Sequence, residues 1–258
     1  MPQTIIVIPC FDEAARLPVD AFADYVLEHD DTDFVFVNDG SRDATLEVLR
    51  DLERRAPARI CVLDQQPNRG KAEAVRVGMN AAFRRDPLYA GYFDADLAAP
   101  LSEIDRLRAV LESRAAVELV LGARVQLMGR RIVRNRLRHY LGRVFATVAS
   151  ETLGLAVYDT QCGAKLFRVG PVVRELFSEP FVGGWIFDVE ILARRIAAGR
   201  TRALPAVEDA IYELPLDTWV DVAGSKVSAL DFARAILAIW RIRGAYLRRG
   251  ADRPPSRA

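Results

Sequence analysis

Cysteine and histidine are scarce in this chain, with three of the first and two of the second among 258 residues. Cys10, Cys61 and Cys162 are odd in number and far apart, and none belongs to a C-x-x-C pair. This argues against a disulfide framework and against a thiolate zinc site, and for a reducing compartment. His29 and His139 have no serine or cysteine nucleophile paired with them and read as ordinary surface residues. No uninterrupted apolar run approaches the ~18 residues expected of a bilayer span. The stretch before Ile5–Ile8 has no basic n-region and Pro9 breaks it, so no signal peptide is expected. Two phosphate-binding loops are missing as well. The G-x-x-x-x-G-K-[ST] spacing does not occur, and no G-x-G-x-x-G follows the first strand signal, which argues against a dinucleotide oxidoreductase. These absences predict a cytoplasmic protein, soluble or peripheral on a membrane.

What is present is apolar and alternating. Half the residues (51%) are hydrophobic and the net charge is only +1, enough to build a sizeable core and exclude disorder. The length suits one large α/β domain or two small ones. Thr4–Ile8 is a continuous β-branched run, as expected of a strand covered on both faces. Residues 34–37, 60–63, 90–93 and 118–122 repeat that signal. Helical patterns run between them at 12–28 (interrupted near Pro18), 43–55, 71–85 and after Pro100. Strands alternating with helices predict β-α-β units and a mostly parallel sheet flanked by helices.

Polar clusters follow each strand: Pro9 to Glu13, Asn38 to Ser41, Asn68 to Lys71 and Asp94 to Asp96. In an open parallel sheet the carboxyl ends of the strands share the edge where ligands bind, so four clusters distant in sequence are expected to converge. Asp94 and Asp96 stand at i and i+2, which in extended backbone puts both carboxylates on one side. Two such oxygen donors suit a hard divalent cation, which can in turn bind phosphate. The simpler reading is a solvated loop that caps the helix near Ser102. Asp39 and Ser41 offer a carboxylate for base or ribose and a tight turn, or merely a helix cap. Glu13 could bind a ribose or offset a helix dipole. Lys71 follows a glycine turn at a helix start, where a phosphate could sit.

The ordered set P-C-F-D-E at 9–13, N-D-G-S-R-D-A-T at 38–45, N-R-G-K-A-E-A-V-R-V-G at 68–78 and D-A-D-L at 94–97 resembles the signature of family 2 glycosyltransferases. D-T-Q-C-G-A-K-L-F at 159–167, W-I-F-D-V-E at 185–190 and W-V-D-V-A-G-S-K-V at 219–227 are similar to the dolichyl- or polyprenyl-phosphate β-glucosyltransferase branch. The resemblance covers residues 5–227. It implies a GT-A fold, a nucleotide-diphosphate sugar donor, Mg2+ or Mn2+, and inversion at the anomeric carbon. It also implies that Pro9, Phe11, Glu13 and Asp39 line a nucleoside pocket. Asp94 would lie near ribose or metal, Asp96 would hold the metal, and Ser225 and Lys226 would fold over the diphosphate. Asp12, Ala72 and Ala98 depart from the usual asparagine, glycine and (in mannosyl relatives) glutamine, the last favouring the glucosyl branch.

In such chemistry the sugar passes through an oxocarbenium-like state while negative charge builds on the departing diphosphate. A phosphate acceptor needs no base, whereas a hydroxyl acceptor does. Asp159 and Asp188 are equally eligible as base or sugar anchor, and Asp188 could instead open the helix that reaches Arg200. Residues 129–143 carry six arginines, no acid and interleaved apolar residues. This basic amphipathic segment suits an anionic lipid surface better than nucleic acid. Arg124, Arg134, Arg138 and Gln161 are candidates for holding a lipid phosphate. Leu230, Ala233, Ile236, Leu237, Trp240 and Leu247 form a second stripe beside recurring arginines. It would pack on its own domain, on a homo-oligomer partner, or on the membrane. Trp185 could stack on the sugar or be a core aromatic. The expected organisation is a glycosyltransferase domain at 1–227, an amphipathic helix at 228–250 and a disordered tail at 251–258. Rival readings are a hydroxyl acceptor, a GDP-mannose donor, a nucleotidyltransferase, and a nucleotide-sugar binder without catalysis. The third lacks its glycine- and lysine-rich loop after the first strand, and the paired Asp94 and Asp96 speak against the fourth.

Overall fold

The computed structural model describes residues 3–133, 136–220 and 229–248, leaving aside the side chains at 136–139, 141 and 229–233. Strand β1 (Thr4–Cys10) leads to helix α1 (Val19–Glu28). The alternation continues through β2 (Thr32–Asp39), α2 (Thr45–Arg55), β3 (Ile60–Gln65), α3 (Lys71–Phe83), β4 (Tyr89–Phe93), α4 (Glu103–Ser113) and β5 (Leu119–Ala123). Then come β6 (Arg131–Val133), α5 (Arg136–Leu153), β7 (Ala164–Arg168), α6 (Pro171–Leu176), α7 (Phe187–Thr201), α8 (Val207–Ala210), β8 (Ile211–Pro215), β9 (Thr218–Val220) and α9 (Ala229–Ile242). A π-helical turn, Arg243–Leu247, follows α9.

The main sheet has the order β3-β2-β1-β4-β7-β5-β8, and β6 pairs with β9 apart from it. Strand β7 runs antiparallel to both its neighbours, β4 and β5, and the other pairings are parallel. The unbroken apolar run of β1 is explained by the two layers it separates. Ile5 and Val7 join a core with α3, α5, α7 and α9. Ile6 and Ile8 join the opposite core with α1, α2 and α4. Alternate residues of a strand face opposite sides, so a strand covered twice must be apolar throughout.

Two expectations are corrected. The first helix does not begin at residue 12, because Asp12 has a positive φ of 52° and the backbone of 12–14 is taken up by side chains across the site. Aspartate adopts that left-handed conformation more readily than most residues. Strand β7 was not anticipated; its sequence, Ala-Lys-Leu-Phe-Arg, is short and carries a buried lysine. The expected boundary at 227 and the tail at 251–258 lie outside the described residues. Among the described residues no helix is long and apolar enough to cross a membrane.

With β7 reversed, its amino end shares a rim with the carboxyl ends of β1, β2, β4 and β5. The close approach of α3 to the sheet fixes one side of that rim. A Cβ on Gly78 would stand 2.3 Å from Val7 Cγ1 and 2.9 Å from Val37 Cγ2. Gly78→Ala should therefore cost roughly 1–3 kcal/mol through overpacking, read as a lower urea midpoint at unchanged m-value.

Candidate active site

The loops after β1 and β2 are laced together by side chains. Asp12 N donates to Ser41 Oγ at 3.0 Å, Glu13 N to Thr45 Oγ1 at 2.8 Å, and Ala14 N to Asp43 Oδ2 at 3.1 Å. Arg42 N donates back to Asp12 Oδ1 at 2.8 Å. Ser41 thus has a structural bond already, and Pro9, Phe11 and Glu13 are half-buried along the same loop. Glu13 sits in a turn rather than in a helix, and its Oε1 pairs with Arg16 at 2.5 Å.

Asp39, at the end of β2, is 2% exposed. Its Oδ1 accepts from Gln65 Nε2 at 2.7 Å and Arg69 N at 2.8 Å, and its Oδ2 accepts from Gly70 N at 2.8 Å. Its carbonyl takes Asn68 Nδ2 at 2.7 Å. These bonds shape the 66–70 turn and so aim Lys71, the first residue of α3. The Lys71 Nζ lies 2.5 Å from Asp94 Oδ1, and the side chain is 41% exposed. Burial opposes its charge, but Asp94, Asp188 and Asp96 more than compensate, raising the lysine above its ordinary value.

Asp94 and Asp96 do meet, though not through strand alternation. Leu97 N donates to Asp94 O at 3.3 Å, closing a turn over 94–97, and Leu97 has a φ of 49°. Burial, followed by the charge of Asp94, pushes the Asp96 carboxyl up; Arg16 acts on it in the opposite sense. Gly163 supports Asp94 from below: its carbonyl accepts Asp94 N at 3.0 Å. A Cβ at 163 would fall 1.9 Å from Asp94 Oδ2, so the carboxylate occupies the space that a side chain would need.

The two eligible acids separate clearly. Asp159 accepts Arg124 Nε at 2.6 Å and Arg124 N at 3.1 Å on Oδ2. On Oδ1 it accepts Arg124 Nη2 at 2.8 Å and Gln161 N at 3.2 Å. Four donors fill the lone-pair sites of a carboxylate, so Asp159 is a structural anchor and has no place for an acceptor proton. Arg124 is corrected with it: the fork expected for a lipid phosphate is already on Asp159, and its guanidinium lies 4.9 Å over the Trp219 ring. Gln161 is half-buried, its amide 3.3 Å from Thr160 Oγ1. Asp188, in the first turn of α7, receives Tyr92 OH at 2.5 Å and Lys165 Nζ at 2.6 Å, both on Oδ1. Lys165 is 1% exposed. Burial and then Asp188 drive the Tyr92 phenol far above its usual range, which keeps it a donor. Trp185 stacks on Phe145 of α5 at 6.1 Å and packs against the core.

Gly163, Lys165 and Tyr92 are partners that sequence reasoning missed, although the first two stand inside a quoted motif. Glu213 on β8 carried no signal at all. Its carboxylate receives Tyr158 N at 2.8 Å and Asp159 N at 2.8 Å, and burial raises it. Arg134, Ser225, Lys226 and the side chain of Arg138 lie outside the described residues.

Mg2+ or Mn2+ fits this donor set only in part. Among the described residues no three His, Cys, Asp or Glu side chains gather into a cage. Two crowded carboxylates can still hold a small hard cation that keeps waters and takes phosphate oxygens. The upward pressure on Asp96 is what such a cation would relieve.

Helices α5 and α9 both pack on α7 and turn apolar residues outward. Tyr140, Val144 and Val148 on α5 are 69%, 64% and 38% exposed; Ile236, Leu237 and Trp240 on α9 are 51%, 61% and 64% exposed. On α9 the core-facing set is Ala235, Ala238, Ile239 and Ile242. Among the described residues α9 and the turn after it pack on their own domain through that set and Leu247, while Ile236, Leu237 and Trp240 face outward.

The chain matches the model of Glycosyl transferase family 2 over residues 5–174. It is 30% identical over 253 residues to the dolichyl-phosphate beta-glucosyltransferase of Drosophila melanogaster, covering 91% of this chain and 73% of that one. Against the enzyme of the same name from Saccharomyces cerevisiae it is 29% identical over 265 residues, 94% and 74% of the two chains. Among solved structures, glucosyl-3-phosphoglycerate synthase from Mycobacterium tuberculosis is similar in fold. Its complex with Mn2+, UDP-glucose and phosphoglyceric acid gives a TM-score of 0.65 at 19% identity, over 94% of this chain and 80% of that one. The seven-stranded, mostly parallel sheet with its ligand rim is a GT-A fold, and the chain belongs to glycosyl transferase family 2 as a hexosyltransferase.

Proposed function

We propose that this enzyme transfers glucose, or a related hexose, with inversion from a UDP-sugar to a polyprenyl or dolichyl phosphate. The observation that carries the reading is the meeting of Lys71, Asp94 and Asp96 on the rim, beside the turn held by Asp39. Pro9, Phe11 and Glu13 form the wall of the nucleoside pocket. Asp39 has one acceptor site left on Oδ2, enough for a single N–H of a base. Asp94 and Asp96 hold Mg2+ or Mn2+, and the cation when bound neutralises charge that builds on the departing diphosphate. Lys71 donates to a phosphate oxygen from the start of α3. Ser225 and Lys226 are assigned to the same diphosphate by resemblance alone.

A phosphate acceptor arrives ionised and attacks without a general base. The saturation of Asp159 supports that choice, and the names of the relatives support the lipid. A hydroxyl acceptor is the second reading, favoured by one observation: Asp188 takes both its donors on Oδ1, so Oδ2 remains to orient or deprotonate a hydroxyl. Under the first reading the same oxygen anchors the sugar.

The outward stripes of α5 and α9, with Arg143, Arg241 and Arg243 beside them, support peripheral attachment to an anionic membrane. Arg143 Nη1 donates to Tyr158 O at 3.3 Å, so this surface adjoins the loop that carries Asp159.

Incubation with radiolabelled UDP-glucose, Mg2+ and a short polyprenyl phosphate should yield organic-extractable label, and Asp96→Ala should abolish it. Label only in water-soluble product would select the hydroxyl reading. Gly163→Ala should leave the fold intact, the displacement falling on the whole Asp94 carboxylate, whose Cγ and Oδ2 would stand 2.2 and 1.9 Å from the new Cβ. It should nonetheless weaken UDP binding in Mn2+ by ~10-fold or more, the order of one lost charge-assisted contact, as measured by calorimetry. Co-sedimentation with vesicles containing phosphatidylserine should fall with rising salt and fall further in Val144→Ser/Trp240→Ser.

A further inference from the structure

On the donor-site reading, the Asp94 carboxylate that would hold the cation is already engaged by Lys71. Asp94 Oδ1 faces the ammonium at 2.5 Å, while Gly163 closes off the other side of the carboxylate, with Oδ2 in the space of a missing Cβ. Asp94 cannot rotate away without losing one wall or the other. Lys71 is equally constrained at its base. Asp39 binds the amides of residues 69 and 70, so the Cα of Lys71 is fixed and only its extended side chain can move. The side chain is 41% exposed, which leaves it a path outward toward the rim.

Charge counting then gives an order of events. Asp94, Asp96 and Lys71 together carry a net charge of −1 that already includes one cation. A divalent ion arriving alone must compete with the ammonium for Asp94 and then sit beside it, like charge against like. A nucleoside diphosphate changes both terms. It gives Lys71 phosphate oxygens in exchange for Asp94, and it supplies further oxygens to the incoming ion. We propose that Lys71 is a resident counter-cation that blocks the metal position on Asp94 until a diphosphate draws it away, so that metal and nucleotide bind as one coupled unit. This rests on the donor-site reading above, and goes beyond it by making Lys71 the residue that forbids metal binding in the absence of nucleotide. Asp188 provides a background attraction, since it acts on the same ammonium while its own Oδ1 stays on Lys165 and Tyr92.

Direct binding tests it without turnover. Free Mn2+ is measured by its electron paramagnetic resonance signal, with and without UDP, for the wild-type protein, Lys71→Met and Lys71→Arg. The wild type should bind Mn2+ weakly alone and ~100-fold more tightly with UDP, within the usual span of coupling between two sites. By reciprocity Mn2+ must tighten UDP by the same factor, which calorimetry checks. Lys71→Met should bind Mn2+ alone ~10-fold more tightly than wild type, with the UDP enhancement reduced accordingly. Lys71→Arg, which keeps the positive charge, should behave as wild type. Mn2+ affinity of Lys71→Met equal to or weaker than wild type in the absence of UDP would overturn the proposal. If no variant, wild type included, binds Mn2+ even with UDP, the donor-site reading itself fails.

Discussion

The buried Asp39 carboxylate is the tie on which the rim depends. A carboxylate taken out of water must find donors, and this one finds them in Gln65, Arg69 and Gly70. In satisfying itself it joins the end of β2 to the loop between β3 and α3. Lys71 follows immediately, so its ammonium inherits its position from a neighbour that never touches it. A polar residue on the last position of a strand is thus a structural member first, with only its remaining lone pair available to a ligand.

Counting unfilled acceptor capacity ranks the acids of the site. Asp159 is full, with four donors, and serves to hold Arg124 against Trp219. Asp188 is pinned through one oxygen by a lysine and a phenol. Among the described residues Asp94 has one side-chain partner, Lys71, and Asp96 receives a single backbone amide, that of Ala98 at 3.1 Å. The two least satisfied carboxylates stand side by side, which is unfavourable unless a cation joins them. Stability alone would not select that arrangement. Binding would.

Much of this was legible in the order of residues. The β-branched runs located the parallel strands, and the polar clusters after them located the rim, because both follow from local periodicity and from the rule that strand ends gather in an open sheet. Asp94 and Asp96 were paired for an incorrect local reason, since a turn rather than extended backbone brings them together. Asp159 and Arg124 were assigned to separate tasks because a bidentate pair 35 positions apart leaves no periodic trace. Strand β7 escaped for a related reason. It is five residues long, holds a buried Lys165, and runs against the direction that the β-α-β pattern predicts; the lysine is tolerable there because its ammonium meets Asp188, 23 positions later, and the Cys162 carbonyl, with the Tyr92 ring 73 positions before it. Glu213 had no motif because its work is done entirely on backbone amides.

Helix α7 joins these matters. Its first turn presents Asp188 beneath the rim, and its length is packed against α5 and α9. Glu190, in the same first turn and fully buried, binds Gly183 N, Arg194 and the phenol of Tyr246, fixing the segment after α9 to the same helix. The outward apolar stripes and the reacting edge are therefore parts of one packed unit, and a surface engaged by α5 and α9 would be held at a set distance from Asp188. An enzyme whose acceptor stays in a membrane needs that fixed distance more than an enzyme whose acceptor diffuses in water. The outward Trp240, Leu237 and Val144 stand on the two helices packed against α7, so whatever covers them shares one frame with Asp188.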